Sequence, residues 1–501
     1  MKRRARTVAS APTPAKHDSP FPAQFCDFML TQWAKPSGRM PAPVKGARYF
    51  AARRRALSKL FEGDVLIIPT GHEKVRANDT HYPFRPGSDF YYLTGNLEPD
   101  CVLVMVPADK GRGHDCVLFV EPNPGRQETT FFTDRVKGEL WVGPRLGILQ
   151  SQARFGLPCL PLAELPAFVR KRLDGPKTCR IIAQMDEAID AMAKGSSRHS
   201  AKDDAALAEA LGQMRLYKDA HELRALKVAC DSTRRGFEDV IERLHVAQSE
   251  REVEGVFNLR ARMEGNAVGY NTIAASGEHA CVLHWSQNHG ALKRQDLLLL
   301  DAGVEGHELY TADVTRTLPI SGRFSPAQRE VYELVLEAQK AAFARVAPGE
   351  DFLAPHRAAM VVLARGLVRL GVLEDAEEAL RPDKQFYKRY TLHGVSHMLG
   401  LDVHDCAQAR NEVYRFGALK PGMVLTVEPG LYFQKDDLTV PKRLRGIGVR
   451  IEDDLVVTRT GHRILSDLPR EADAVEAWMA KIWADRCVKQ PKPRGRTSRR
   501  R

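Results

Sequence analysis

The apolar positions of this chain fall into two regimes. Between residues 64 and 122 they form short unbroken runs, DVLIIPT (64 to 70), CVLVMVP (101 to 107) and CVLFVEP (116 to 122), with Gly and Asp turns between the last two. Runs of that length without alternation predict short buried strands. From residue 219 onward the spacing becomes three or four. Leu223, Leu226, Cys230, Thr233, Phe237, Ile241 and Leu244 mark one amphipathic helix, opened by Asp219 and Glu222 in the pattern of a capping box. Ser249 with Glu252 predicts a second helix, and Ser325, Pro326 and Gln328 a third that runs to about Arg345, ahead of Pro348 and Gly349. The segment NDTHYPFRPGSDFYYLTG (78 to 95) is polar, aromatic and broken by two prolines, and reads as a long structured loop leading into a strand; Phe90, Tyr91 and Tyr92 within it are expected in the core. Residues 1–45, rich in Pro, Ala and basic groups, are expected to form an extension with little fixed structure, and the basic run 483–501 a tail of the same kind. A domain boundary is expected near 200 to 215, giving domains at 46–208 and 209–482.

A further set of strand-like runs carries charge. LLLLDAG (297 to 303), TADVTRT (311 to 317), VLTVEPGLY (424 to 432) and GVRIEDD (448 to 454) each set an acid inside or at the end of an apolar run, and HGVSHMLGLDVHD (393 to 405) packs three histidines and two aspartates into thirteen residues. Unpaired carboxylates are costly to bury there, so something must neutralise them. A hairpin over 297–317 would bring Asp301 beside Asp313, and two carboxylates in contact cannot both stay ionised without a cation between them. With Glu428, Glu452 and His397 they make an oxygen-rich donor set that suits Mn(II), Co(II) or Zn(II) in a two-metal site better than a thiolate-bound structural zinc. Two divalent ions among such groups deprotonate a shared water and polarise the carbonyl it attacks, which points to amide hydrolysis at the amino end of a peptide. His284 and His404 are expected near the scissile bond and His393 in the same cleft. Period-two alternation puts Arg450 and Glu452 on one strand face, where the guanidinium can orient a ligand carboxylate.

Composition narrows this reading. The chain has 501 residues, 43% apolar and 28% charged, as a soluble protein of two or three domains would. Its net charge of +12 is terminal: the first twenty residues contribute +4 and residues 486–501 contribute +8, leaving a neutral body. Nucleic-acid binding by the body is therefore not implied, and the tail KQPKPRGRTSRRR, without aromatic residues, reads as a solvated run. No apolar run reaches membrane-spanning length and MKRRARTVAS lacks the apolar core of a secretory signal, so a cytoplasmic protein is expected. Nine scattered cysteines fit a reducing compartment and buried thiols.

Taken together, SGEHACVLHW, LLLLDAGVE, TADVTRT, HGVSHMLGLDVHD, LTVEPGLY and RGIGVRIEDDLVVT resemble the proline-specific metallopeptidases of creatinase or "pita-bread" fold, most closely the Xaa-Pro aminopeptidases (aminopeptidase P). DTHYPFRPGSDFYYLTG extends the resemblance to that family's N-terminal domain, and the whole covers roughly Ala47 to Ala480. The resemblance implies an α+β architecture, with a smaller α/β N-terminal domain before a pita-bread catalytic domain. It implies two divalent ions, usually Mn2+, on Asp301, Asp313, His397, Glu428 and Glu452, with Glu428 also the general acid/base beside a metal-bridging hydroxide. His284, His393 and His404 match histidines that contact substrate or the tetrahedral intermediate, and Arg450 a supporting arginine. Tyr432, Asp79 and Trp141 match positions that line the site, the last in a segment that meets a neighbouring subunit. Peptides with proline second are the implied substrates, and a homodimer or homotetramer the implied assembly. Within the fold the alternatives are prolidase, restricted to Xaa-Pro dipeptides, and a non-catalytic binding protein; metal-free creatinase chemistry is disfavoured because all five ligand positions are filled. Departures from the family pattern are a longer turn, VEGHELYTA, between the two aspartates, expected to alter only a surface loop; DCAQA after His404; and His279 and Trp285 where Asn and Tyr are usual.

Overall fold

Residues 21–34, 38–109, 112–173 and 177–489 are described by the computed structural model, with side chains to residue 485. The first twenty residues and the basic run from residue 490 lie outside the described residues, as do the expectations placed on them. By internal contact the chain divides into two units, Met1–Ala208 and Glu209–Arg501.

The first unit is built on the unbroken apolar runs. Strands β1 (Val65–Pro69), β2 (Val102–Pro107), β3 (His114–Val120), β4 (Cys159–Pro161) and β5 (Cys179–Ile181) form one mixed sheet in the order β4-β3-β2-β1-β5. Val65, Ile67, Val102, Val104 and Phe119 pack with Leu165, Val169 and Ile189 on one side, while Leu66, Ile68, Leu103 and Met105 are as fully buried on the other. Coverage of both faces explains why these runs do not alternate. Two expectations are corrected here. Helix α1 (Ala23–Met29) lies in the stretch expected to lack structure, because Phe21 and Phe25 pack against Phe132 at 5.7 and 5.9 Å between ring centroids. Residues 78–95 are not one loop before a strand: they complete a small hairpin, Val75–Ala77 with Thr80–His81, and then form a helix, Ser88–Thr94, that buries Phe90, Tyr91 and Tyr92 as expected. That helix stops at Gly95, whose φ of +68° and contact with the Phe50 ring leave no room for a Cβ.

The second unit opens on the three predicted helices. Asp219 caps the helix Ala220–Leu244 and is capped in return by Glu222; Ser249 caps Glu250–Glu264; Ser325 and Gln328 box the start of Pro326–Phe343, with Pro326 at its first position. Between and after them run β6 (Ile273–Ser276), β7 (Leu297–Ala302), β8 (Val314–Pro319), β9 (Val424–Val427), β10 (Gly430–Tyr432), β11 (Gly448–Arg450), β12 (Asp453–Val457) and β13 (His462–Ile464). They form sheets ordered β8-β7-β6, β9-β12-β13 and β10-β11. One large core joins Phe237 and Leu244 to Leu298, Leu300, Val335, Leu363, Leu425 and Leu455. The longer turn between β7 and β8 is not a surface loop. Glu305, Tyr310 and Thr311 are buried, and the Tyr310 hydroxyl donates to Glu222, so the extra residues fold back onto the first helix of the unit. The final helix, Ala472–Lys489, also runs past the expected end at 482, because the Trp483 indole donates to the Ile241 carbonyl.

Candidate metal centre and active site

Strands β7 and β8 pair antiparallel with Asp301 opposite Thr315 and Ala302 opposite Val314, so Asp313 comes to lie just across from Asp301. Both carboxyl groups lie within hydrogen-bond distance of a single hydroxyl, Tyr270 Oη, at 2.7 and 2.5 Å. The segment holding His397 runs beside β9: Thr426 N donates to His397 O, and Glu428 N to Val395 O. Glu428 follows the last residue of β9, and Glu452 sits in the break between β11 and β12. Gln339 donates to the carbonyls of Val427 and Ile451, the residues immediately before those two glutamates. The fully buried Arg316 donates to the Glu452 carbonyl. The acids are thus fixed by backbone held from behind.

Ligand atoms of Asp313, His397 and Glu452 lie within 4.8 Å of one another. His397 Nε2 is 3.3 Å from Asp313 Oδ2 and 3.4 Å from Glu428 Oε1. Asp301 joins through Tyr270 and through Arg450, whose guanidinium donates to Asp301 Oδ2 at 2.5 Å, to the Tyr432 hydroxyl at 2.9 Å and to Thr315 Oγ1 at 3.2 Å; Thr315 in turn donates to Glu452 Oε2 at 2.6 Å. All five expected ligands therefore converge. Burial raises the Asp301 carboxyl, raises Glu452 well above its ordinary value and pushes Glu428 up to about 7, the charges of neighbouring acids adding to the effect and Arg450, with His397 at Glu428, opposing it. Burial would lower His397, but Asp313 and Glu428 outweigh it and raise the imidazole to about 9. This donor set fits divalent cations: four oxygen-bearing groups and one imidazole face each other with more negative charge than Arg450 can balance.

The cluster floors a cleft of about 650 Å³ lined also by His284, His393, His404, Leu283, Ser286 and Phe352. His393 Nε2 lies 2.7 Å from the Tyr432 hydroxyl, and burial, with Arg450, drives its imidazole down to about 3, so it stays neutral. His404 meets His397 edge to face at 4.5 Å. Asp79 and Trp141 belong to the first unit. Asp79 is exposed in the small hairpin turn, and Trp141 is half exposed with its indole on the Phe132 carbonyl and Arg135 over its ring. Tyr270, His356 and Arg415 also line the cleft and Gln339 lies behind it; no local pattern in the sequence marks the last three. Tyr270 had one usable signal, a tyrosine just ahead of the first strand of the metal-bearing sheet.

Two family models match the chain: Metallopeptidase family M24 over residues 224–459, and the N-terminal domain of aminopeptidase P over residues 50–182. Xaa-Pro aminopeptidase 2 of Streptomyces coelicolor is 50% identical over 468 residues, covering 92% of this chain and 97% of the relative. The Xaa-Pro aminopeptidase of Escherichia coli is 34% identical, covering 86% and 97%. Among solved structures, aminopeptidase P from E. coli with the inhibitor Pro-Leu matches with a TM-score of 0.79 at 32% identity, over 88% of this chain and 99% of that one. The five convergent groups lie inside the stretch matched by the peptidase model, and the mixed sheet of the first unit lies inside the other. The chain belongs to the aminopeptidase P family of M24 metallopeptidases, a pita-bread domain preceded by a smaller N-terminal domain.

Proposed function

We propose that this enzyme removes the N-terminal residue from peptides whose second residue is proline, using two divalent cations held by Asp301, Asp313, His397, Glu428 and Glu452. The observation that carries the reading is the meeting of those five side chains at one end of a lined cleft. When bound, the cations supply the acidity that readies a water and polarises the scissile carbonyl. The protein's own groups do the rest. Glu428 takes a proton at its carboxylate and returns it to the departing proline nitrogen. His404 and His284 face the carbonyl oxygen, and the neutral His393 accepts from or donates to the substrate beside Tyr432. Arg450 holds Asp301 and Tyr432 in place, and its rigid fork is the reason a lysine would not substitute.

We take manganese as the working metal, on the oxygen-rich donor set, with Co2+ or Zn2+ able to occupy the same groups. The protein is read as cytoplasmic, because Cys101, Cys159, Cys179, Cys230, Cys281 and Cys406 are buried free thiols. None of the described helices is long and apolar enough to cross a membrane. The chain up to residue 208, with the helix Ala23–Met29, is assigned as the N-terminal domain, and residue 209 through the final helix Ala472–Lys489 as the catalytic domain. Asp79 and Trp141 are assigned to substrate contact, Trp141 with a homodimer or homotetramer in which it meets a neighbouring subunit. Incubating the manganese-loaded protein with an Xaa-Pro-Yaa tripeptide tests the function: free Xaa, lost on chelation, is expected, and its absence refutes the reading. An Xaa-Pro-Yaa-Zaa tetrapeptide left intact beside a cleaved Xaa-Pro dipeptide would make the enzyme a prolidase instead.

A further inference from the structure

Glu250, the first residue of the helix Glu250–Glu264, is completely buried, and its carboxylate is the hub of a strap that forms one wall of the cleft. Its Oε1 accepts from Ser276 N at 2.8 Å, Ser276 Oγ at 3.0 Å and His279 Nδ1 at 2.8 Å. Its Oε2 accepts from Trp285 Nε1 at 2.8 Å and Gly290 N at 2.7 Å. Both ends of the strap, at Ser276 and Gly290, are therefore tied to one side chain, and so is its middle at Trp285. Gly290 N answers the carboxylate while Gly290 O accepts from Glu250 N, and a Cβ at Gly290 would stand 2.7 Å from both Glu250 and the His279 ring.

The two residues that depart from the family pattern in this strap, His279 and Trp285, are partners in the same knot. Their rings stack at 3.9 Å, and His289 stacks on Trp285 at 4.9 Å. Leu283, His284 and Ser286, the residues flanking and preceding Trp285, line the cleft. His284 itself is exposed, so its position is inherited from its neighbour. A carboxylate satisfied by five donors has one geometry, and it passes that geometry through the indole to the backbone that carries His284.

We propose that Glu250, acting through Trp285 and His279, is a positioning residue that sets where His284 stands against the substrate, with His279 and Trp285 as this chain's replacement for an Asn and Tyr pair. The proposal rests on the assignment of His284 to the substrate side of the cleft. Trp285→Phe keeps an aromatic ring at this position but removes the indole N–H, and with it the bond to Glu250, along with one ring of the bicycle. In the manganese-loaded enzyme it is expected to lower kcat on an Xaa-Pro-Yaa tripeptide about tenfold, with KM and bound metal unchanged. Glu250→Gln, which places an amide donor among donors, should lose more. The decisive comparison is Trp285→Phe made in a His284→Ala background, where it should cost nothing further, because both changes act on one group. If His284→Ala lowers kcat but Trp285→Phe costs the same factor in both backgrounds, the positioning role is wrong and the assignment of His284 stands. If His284→Ala leaves kcat untouched, that assignment falls and the proposal falls with it. An unchanged kcat for Trp285→Phe alone also overturns it.

Discussion

Two groups of buried carboxylates in the catalytic unit have opposite fates. Asp405 is fully buried, yet its carboxyl lies well below the usual range: burial would raise it, but Arg215 and Lys218 both bond to it and more than offset that cost. Asp301 and Glu452, buried, and Glu428, half-buried, are raised instead: desolvation lifts them, and Arg450 is too little cation for so many acids to offset it. The Asp405 knot is closed by the protein's own charges, and the five-residue cluster is left to be closed from outside. Asp405 is thus a structural acid, whereas the under-balanced cluster is the group proposed above as metal ligands.

That contrast can be broken most severely at the metal cluster. His397→Ala or Glu452→Ala should lower kcat/KM for an Xaa-Pro-Yaa tripeptide by roughly 10³-fold or more, several kcal/mol of transition-state stabilisation. Excess manganese should fail to restore these variants while restoring the chelated wild type. Lys218→Met attacks the other side of the comparison. It leaves Asp405 buried with one partner fewer and should cost about 3 to 5 kcal/mol in urea unfolding, a loss that metal does not repair. Arg450→Lys, which cannot hold Asp301, Tyr432 and Thr315 at once, should reduce activity about 10- to 100-fold and weaken metal retention, read by activity and bound-metal assay. The Asp405 knot should also impose an acid limit. A depressed carboxyl stabilises the fold above its unfolded value of about 4, and that stability fades as pH falls toward the lower folded value. Unfolding monitored from pH 7 down to pH 3 should show the loss only below about 4 in the wild type. The smallest effect is expected from removing residues 486–501, which should leave peptide turnover unchanged.

The cluster and its strands were readable because charge interrupting an apolar run is a local anomaly. Asp301 behind four leucines and Glu428 inside VLTVEPG stand out without any knowledge of what lies opposite. The helices were readable through their caps, Asp219, Ser249 and Ser325. Tyr270, Gln339 and Glu250 were not, because each is an ordinary polar residue whose meaning comes from partners far along the chain. Gln339 reaches residues 88 and 112 positions away, and Glu250 gathers donors 26 to 40 positions on. The longer turn between the two aspartates was misread for a related reason: sequence length suggested a loop in solvent, whereas Tyr310 finds Glu222 and is buried. At residues 78–95 two prolines masked a seven-residue helix that begins only after both.

One consequence follows from the ladder between β7 and β8. Asp301 and Asp313 meet because six consecutive residue pairs, from Leu297 with Pro319 to Ala302 with Val314, lie in one alignment. A slip of a single residue would turn Asp301 away from the cleft and a leucine toward it. One residue of register therefore decides whether the two carboxylates can share the Tyr270 hydroxyl at all.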